Sequence, residues 1–378
     1  MICKRLCGRL FAPVSAVLSL LFMSSAQAEY ELNMTPGVTS ISHQIYDLHM
    51  LVLWICFVVG LLVFAVMAYS IMNHRKSKGA VSADFHESTT VEIIWTLVPL
   101  AILIAIAVPA TATLLDLEDT SKADIHIQVT GIQWKWKYKY LGEDVEFISS
   151  LSEENREAVS NKAPGSVEHY LLDVDKRIVV PVNKKIEFLF TSDDVIHAWW
   201  VPELAVKQDT VPGFINTSWA YIEKPGIYRG QCAELCGKDH GFMPIVVEAV
   251  TMPEYQKWLV AMRAEQAVLA ASSDKEWSKA ELMDKGKSVY ASACAACHGA
   301  TGAGIPPVFP AMTNSPVVLG DINGHIDIVV NGKTGTAMQA FKTQLSDVDI
   351  AAVITFERNS FGNSVGDMVQ PSTIKSLR

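Results

Sequence analysis

Residues 51–71 and 93–115 are two apolar stretches, each long enough to cross a bilayer as a helix. Nothing else in the chain restricts the fold as much. Lipid offers no hydrogen-bond partners, so a single spanning segment can satisfy its backbone only as a helix. Trp54, Tyr69 and Trp95 stand near the ends of the stretches, as interfacial aromatics do. The connection carries His74, Arg75, Lys76 and Lys78, and that positive charge places it in the cytoplasm. Everything after residue 115 then faces outward. Residues 1–28 predict the same orientation. Lys4, Arg5 and Arg9 precede an apolar run from Leu10 to Phe22 and then Ala26-Gln27-Ala28, a cleavable secretory signal too short to be a span. Glu29 is the expected mature N-terminus.

The outward part divides by pattern. Residues 125–129, 133–140, 177–181, 186–191, 227–231 and 245–249 read as short strands, punctuated by Asn183-Lys184, Pro212-Gly213 and Pro225-Gly226. Such spacing predicts a β-sandwich or barrel. Residues 143–167 are charged and read as an insertion loop, and 254–271 read as a helix. A final helical domain opens near Ser278, where Ser278 and Glu281 predict a capping box. It has one helix to about 293, another over 347–356, and polar, frayed residues after 361. The expected organisation is a signal at 1–28, a membrane anchor at 29–119, a β domain at 120–252, a helical linker at 253–277 and an α domain at 278–378. With a net charge of −9, no nucleic-acid partner is expected.

Within the β domain, Cys232, Cys236, His240 and Met243 fall inside twelve residues, and His197 lies thirty-five residues before the first of them. Taken singly, these residues suit a disulfide, a zinc site, a core histidine or core filler. Together they form a soft nitrogen–sulfur set that suits copper and electron transfer. A mononuclear blue-copper site needs one thiolate, and this chain offers two. Two thiolates can bridge two coppers, leaving each metal one histidine and one weak ligand. Met243 supplies one weak ligand, and the main-chain carbonyl of Glu234 is well placed to supply the other. Of seven cysteines, Cys3 and Cys7 leave with the signal and Cys56 sits in an apolar span, so no structural disulfide is needed.

In the last domain Cys294-Ala-Ala-Cys297-His298 reads as covalent haem attachment. The two thioethers fix the haem and His298 supplies the proximal nitrogen. Methionine is the expected distal ligand, with Met312, Met338 and Met368 as candidates. The other histidines, His86, His126, His169 and His325 among them, show no ligand spacing and are expected to be solvated.

The run 231–247, with Val201-Pro-Glu-Leu-Ala-Val-Lys-Gln-Asp upstream and two spans before it, resembles cytochrome c oxidase subunit II over residues 40–260. The last domain resembles a small class I cytochrome c, and Gly335-Thr-Ala-Met-Gln-Ala-Phe341 matches its distal-ligand loop at Met338. The resemblance implies a multidomain chain: two transmembrane α-helices, an all-β cupredoxin-like sandwich and an all-α cytochrome c domain. It implies a dinuclear copper centre, CuA, held by His197, Cys232, the Glu234 carbonyl, Cys236, His240 and Met243. The Glu234 carboxylate would reach a magnesium ion shared with subunit I. Trp134 matches the position through which an electron enters. Glu92, in Val91-Glu-Ile-Ile-Trp95, matches a carboxylate at the mouth of a proton channel, although a helix N-terminus alone would also favour it.

The function implied is that of the electron-accepting subunit of a respiratory haem–copper oxidase in a bacterial inner membrane. Its two soluble domains would lie in the periplasm. Electrons would pass from one haem c through two coppers to subunit I, which reduces dioxygen. Subunit III and a cytochrome or other donor are further expected partners. A membrane-tethered carrier serving a different reductase is the alternative. One departure stands out in 133–140, where aromatics alternate with lysines. Lys135, Lys137 and Lys139 occupy positions where the family often has acids, which disfavours docking of an external basic cytochrome. The β region 123–250 carries 13 basic against 19 acidic residues, and 284–378 carries 7 of each. A neutral haem domain gains little from steering, so tethering is expected to take its place.

Overall fold

The computed structural model describes residues 33–377 apart from Ala83 and Phe85. The expected signal at 1–28 lies outside the described residues. The two spans are helices, α1 over Ser40–Asn73 and α2 over Thr89–Glu118. Both outrun their apolar cores, because 30 or more residues at about 1.5 Å each exceed a hydrocarbon layer of roughly 30 Å. A reciprocal cap between Thr39 and Ser42 starts α1. The outer ends of the hairpin are both fastened to the β domain. The backbone N–H of Val38 donates to the Glu203 carbonyl (2.9 Å) and the Thr39 hydroxyl to the Leu204 carbonyl (3.1 Å). In the last turn of α2 the Trp219 indole donates to Asp116 O (3.2 Å), and just beyond the helix the Lys185 ammonium donates to Asp119 O (2.6 Å).

Ten strands form the sandwich: β1 Ile125–Ile132, β2 Lys135–Tyr140, β3 Val145–Ser149, β4 Ile178–Pro181, β5 Lys185–Ser192, β6 His197–Val201, β7 Val206–Thr210, β8 Asn216–Tyr221, β9 Gly226–Cys232 and β10 Ile245–Val250. One sheet runs β3-β2-β1-β5-β8 and the other β4-β10-β9-β6-β7. Pairing is antiparallel except for β1 with β5 and β4 with β10. Period-two alternation sends Trp136, Tyr138, Tyr140, Phe188, Phe190 and Trp199 into one aromatic core. Their polar atoms are paired there, with the Tyr140 hydroxyl donating to Val179 O across the sheets (2.7 Å).

Residues 143–167 are not a plain loop. They contain β3, which turns Val145 and Phe147 inward against β2, and a helix, α3, over Glu153–Ser160. The acidic residues that suggested a loop are on the faces turned from the core. The expected linker is also more ordered than a tether. Helix α4 (Met252–Ser272) buries Tyr255, Leu259 and Met262 against the sandwich, and Trp258 packs on Tyr140 at 5.1 Å.

In the last domain α5 (Lys279–Val289) continues through a π-helical turn, Tyr290–Cys294, into α6, Ala295–His298. Short α7 (Pro316–Leu319), α8 (Ile322–Asn331), α9 (Asp347–Arg358) and α10 (Pro371–Lys375) follow. The residues after 361 are not frayed. Val369 and Ile374 are buried, and Asp367 pairs with the buried Arg358 at 2.7 Å. Helices α5 and α9 cross at Gly286, where a Cβ would sit 2.1 Å from Ala352 O and 2.6 Å from Phe356 Cβ. Gly286→Ala is therefore expected to cost about 1–3 kcal/mol through overpacking, read as a lower thermal midpoint by circular dichroism. An unchanged midpoint would show that the crossing tolerates the methyl group.

Candidate metal centres

The copper candidates converge at one end of the sandwich. His197 opens β6, Cys232 closes β9, and the loop to β10 carries Glu234, Cys236, His240 and Met243. Pairing of β6 with β9 sets Trp199 opposite Cys232, which brings the two ligand-bearing ends together. The Cys232 and Cys236 sulfurs are 3.8 Å apart. Cys236 Sγ lies 3.5 Å from His240 Nδ1 and 3.6 Å from Met243 Sδ, and Cys232 Sγ lies 3.4 Å from the Glu234 carbonyl oxygen. Donor atoms of His197, Cys232 and Cys236 fall within 4.8 Å of one another. With metal–ligand bonds of roughly 2.0–2.3 Å, donors at such spacings can share ions.

Two observations test the fit to a soft metal. Cys232 and Cys236 are free thiols. The buried His197 Nδ1 has no hydrogen-bond partner among the described residues, a costly state for a polar atom unless an ion takes its lone pair. The other ring nitrogen, Nε2, meets Asp194 Oδ1 at 2.9 Å, and Asp194 Oδ2 accepts from the Gln133 N–H at 2.7 Å. Metal-bound histidines are commonly oriented in this way. The Cys232 thiol is driven well below its usual range by hydrogen bonding from Cys236, with His197 assisting. Cys236 is driven up by the thiolate beside it. Burial opposes charge on the His197 imidazole, but the Asp194 carboxylate and the sulfur of Cys232 nearby outweigh it and raise its pKa. The residues present fit copper.

The second centre is a cavity of about 1490 Å³ between the sandwich and the α domain. Cys294, Cys297, His298, Met312 and Met338 line it, with apolar walls such as Val329 and Val353. Met368 is off the cavity and 45% exposed. Both thiols are free, and His298 Nδ1 donates to Pro310 O at 2.8 Å, which leaves Nε2 for a metal. Burial pushes both thiols up. The residues fit a covalently attached haem.

Trp134 lies between the centres. It lines the cavity, and its indole N–H donates to the carbonyl of Cys236 (3.1 Å), which the Gln133 side chain also reaches (2.9 Å). The two domains touch around it. The Lys238 ammonium donates to Ala296 O at 2.6 Å, and the Gln339 amide to Gln133 O at 3.1 Å. Lys135 points away from the sandwich core, as alternation predicts, yet it is buried beneath the α domain with its ammonium 5.5 Å from the Phe341 ring centre. Desolvation lowers its pKa to about 8. Glu92 is exposed in the first turn of α2, where its carboxylate accepts from Ser88 N–H at 3.4 Å.

Three partners were not found from sequence. Asp194 stands three residues before His197, and that spacing is a usable signal. His325 was expected to be solvated, but it is 2% exposed and pairs with Glu357 at 2.9 Å, both on the cavity wall. Helical periodicity of α8 faces His325 inward with Ile326, Val329 and Val330. His126 is half exposed and pairs with Glu187, and His86 is exposed.

Residues 125–250 match a family profile described as cytochrome c oxidase subunit II, periplasmic domain, and residues 27–112 match its transmembrane domain. A probable cytochrome c oxidase subunit 2 from Rickettsia bellii is 38% identical over 261 residues, covering 66% of this chain and 92% of that protein. The chain belongs to the cytochrome c oxidase subunit II family. The subunit from Cereibacter sphaeroides is 35% identical over 239 residues, covering 60% of this chain and 79% of that one. A crystal structure of the periplasmic domain of subunit II from Bradyrhizobium japonicum is 39% identical, covering 39% of this chain and 98% of that one, with a TM-score of 0.35. Residues 281–356 match a third profile, cytochrome c oxidase, cbb3-type, subunit III. This member of the subunit II family is thus membrane-anchored, carries a periplasmic β-sandwich, and ends in a cytochrome c domain. It is a subunit of a haem–copper terminal oxidase, and the family implies copper and haem c.

Proposed function

We propose that this subunit receives electrons at one haem c, passes them through Trp134 to a dinuclear CuA centre, and delivers them to the haems of subunit I. The observation that carries this reading is the placement of Trp134, which walls the haem cavity and bonds through its indole to the main chain of Cys236. His197, Cys232, the Glu234 carbonyl, Cys236, His240 and Met243 would hold two coppers. Copper in such a set supplies one-electron transfer with little rearrangement. Cys294 and Cys297 would bond the haem, with His298 and Met338 as axial ligands. The exposed Glu234 carboxylate is free to reach a magnesium ion shared with subunit I. Glu92 would sit at the mouth of a proton path. The reading assigns the anchor to residues 29–119, the CuA domain to 120–252, the linker to 253–277 and the cytochrome c domain to 278–378. It also takes the bacterial inner membrane as the location, with subunit III and an external electron donor as further partners.

Because the cytochrome c domain covers the Trp134 face, an external donor would reduce this haem first. Rapid mixing of the full chain with a reductant of the haem tests the route. Copper reduction is expected to follow haem reduction at a rate independent of protein concentration. A rate that rises with protein concentration would mean transfer between molecules and would overturn the route.

A further inference from the structure

We propose that His325 and Glu357 form a proton-binding site on the wall of the haem cavity, loaded when the haem iron is reduced and unloaded when it is oxidised. The inference rests on the reading of that cavity as a haem site. The pair joins α8 to α9 at 2.9 Å, and both side chains are 2% exposed and line the cavity. Neighbouring wall positions, Val329 and Val353, are apolar. A buried ionisable pair is a poor way to stabilise a fold, since apolar residues of similar size serve as well or better. Its position suggests another role. Burial raises the Cys294 thiol and the charge of the nearby Glu357 carboxylate adds to that rise, which sets the pair near the point of covalent attachment.

The pair also has room for a proton. With His325 Nε2 facing Glu357, the buried Nδ1 has no partner among the described residues and is the open base. Of the surrounding ionisable groups, Lys135 of the same cavity is a remaining cation, and the others are engaged or neutral. Cys294 and Tyr290 face Glu357 from the helical run after α5, and burial raises the pKa of both groups. Arg358 is committed to Asp367 and to the carbonyls of Val318 and Gly320. On α8, Asp321 caps Gly324 N and Asp327 accepts from Asn331. When one electron arrives, the haem centre gains one negative charge in a poorly solvated cavity. The pair then takes one proton from water, and net charge is unchanged. Oxidation passes the electron on to the copper centre and releases the proton to water.

Protonation of the pair favours the reduced iron, so the haem potential falls as pH rises through the titration. The limiting slope is a tenfold change in the reduction equilibrium per pH unit, which is 59 mV for a one-electron couple. The test is a spectroelectrochemical titration of the haem band in the full chain, across roughly pH 5 to 9. Wild type is expected to show the slope over part of that range, and Glu357→Gln and His325→Asn to lose it. A flat wild-type profile would overturn the proposal. So would an unchanged slope in both variants, which would assign the proton to the haem's own carboxylates. Should neither variant fold, reduction of the wild type in weak buffer with an indicator dye decides. Uptake approaching about one proton per electron supports the pair, and none overturns it. A chain lacking the covalent haem band would instead sink the haem reading itself.

Discussion

Cys236→Ser is expected to abolish the dinuclear copper centre and to lower oxidase turnover by more than about 100-fold, because even changes outside the ligand shell cost roughly 10–100-fold in metal affinity or activity. Cys236 is the hub of the donor set, with sulfur contacts to Cys232, His240 and Met243 at 3.8, 3.5 and 3.6 Å. A hydroxyl at this position is a hard, weakly bridging donor, so one thiolate remains and at most one copper is held tightly. The measurement is copper per chain together with an electron paramagnetic resonance spectrum. Wild type should show one electron shared by two copper nuclei, and the variant a single-copper signal or none. A variant that kept two coppers and the shared-electron spectrum would remove Cys236 from the bridge. A wild-type chain binding only zinc would remove the copper centre altogether.

Trp134→Ala is expected to slow electron transfer from haem to copper by about 100-fold while both centres remain loaded. The indole fills the gap between the cavity and the Cys236 main chain, and its N–H is half of a shared donation to one carbonyl. Gly237, with φ at +118°, lets the ligand loop pass against the ring, where a Cβ would lie 3.1 Å from the indole. Losing the ring therefore opens the junction, and a shift of about 1 Å between reacting partners can cost roughly 100-fold. Trp134→Phe helps to separate two contributions, since it keeps one aromatic ring while deleting the N–H donor and the second ring's contact area. Flash reduction of the haem, followed at the copper absorbance, reads the rate. An unchanged rate in Trp134→Ala, with haem and copper contents intact, would exclude the residue from the path.

What the sequence disclosed and what it hid follow from the range of the interactions involved. The copper loop and the haem motif are local, because their chemistry demands given residue types a few positions apart. The two membrane helices are equally local, since each satisfies its own backbone. Strands β6, β7 and β8 were not found. His197-Ala-Trp-Trp-Val lacks alternation, and Val206–Thr210 and Asn216–Tyr221 are largely polar. Their strand character comes from the strands they pair with, β9 and β7 for β6, β6 for β7 and β5 for β8, which no short window contains. The same holds for burial. Lys135 reads as a solvated face of β2, and with respect to the sandwich it is one. It is buried only because a domain two hundred residues later lies over it. His325 is apart in sequence from the Glu357 that accompanies it, so spacing alone gave no sign of the pair.

The packed helix α4 has a consequence for how such a subunit evolves. A freely diffusing donor must find its acceptor, react and leave, and its affinity is a compromise between arrival and departure. On the proposed route the donor domain follows a helix that Tyr255, Leu259 and Met262 pack against the sandwich, and it does not depart. Selection for an acidic landing beacon is thereby relaxed, and Lys135 and Lys238 can serve as permanent mortar at the joint. The compromise moves one step outward, to whichever carrier refills the haem.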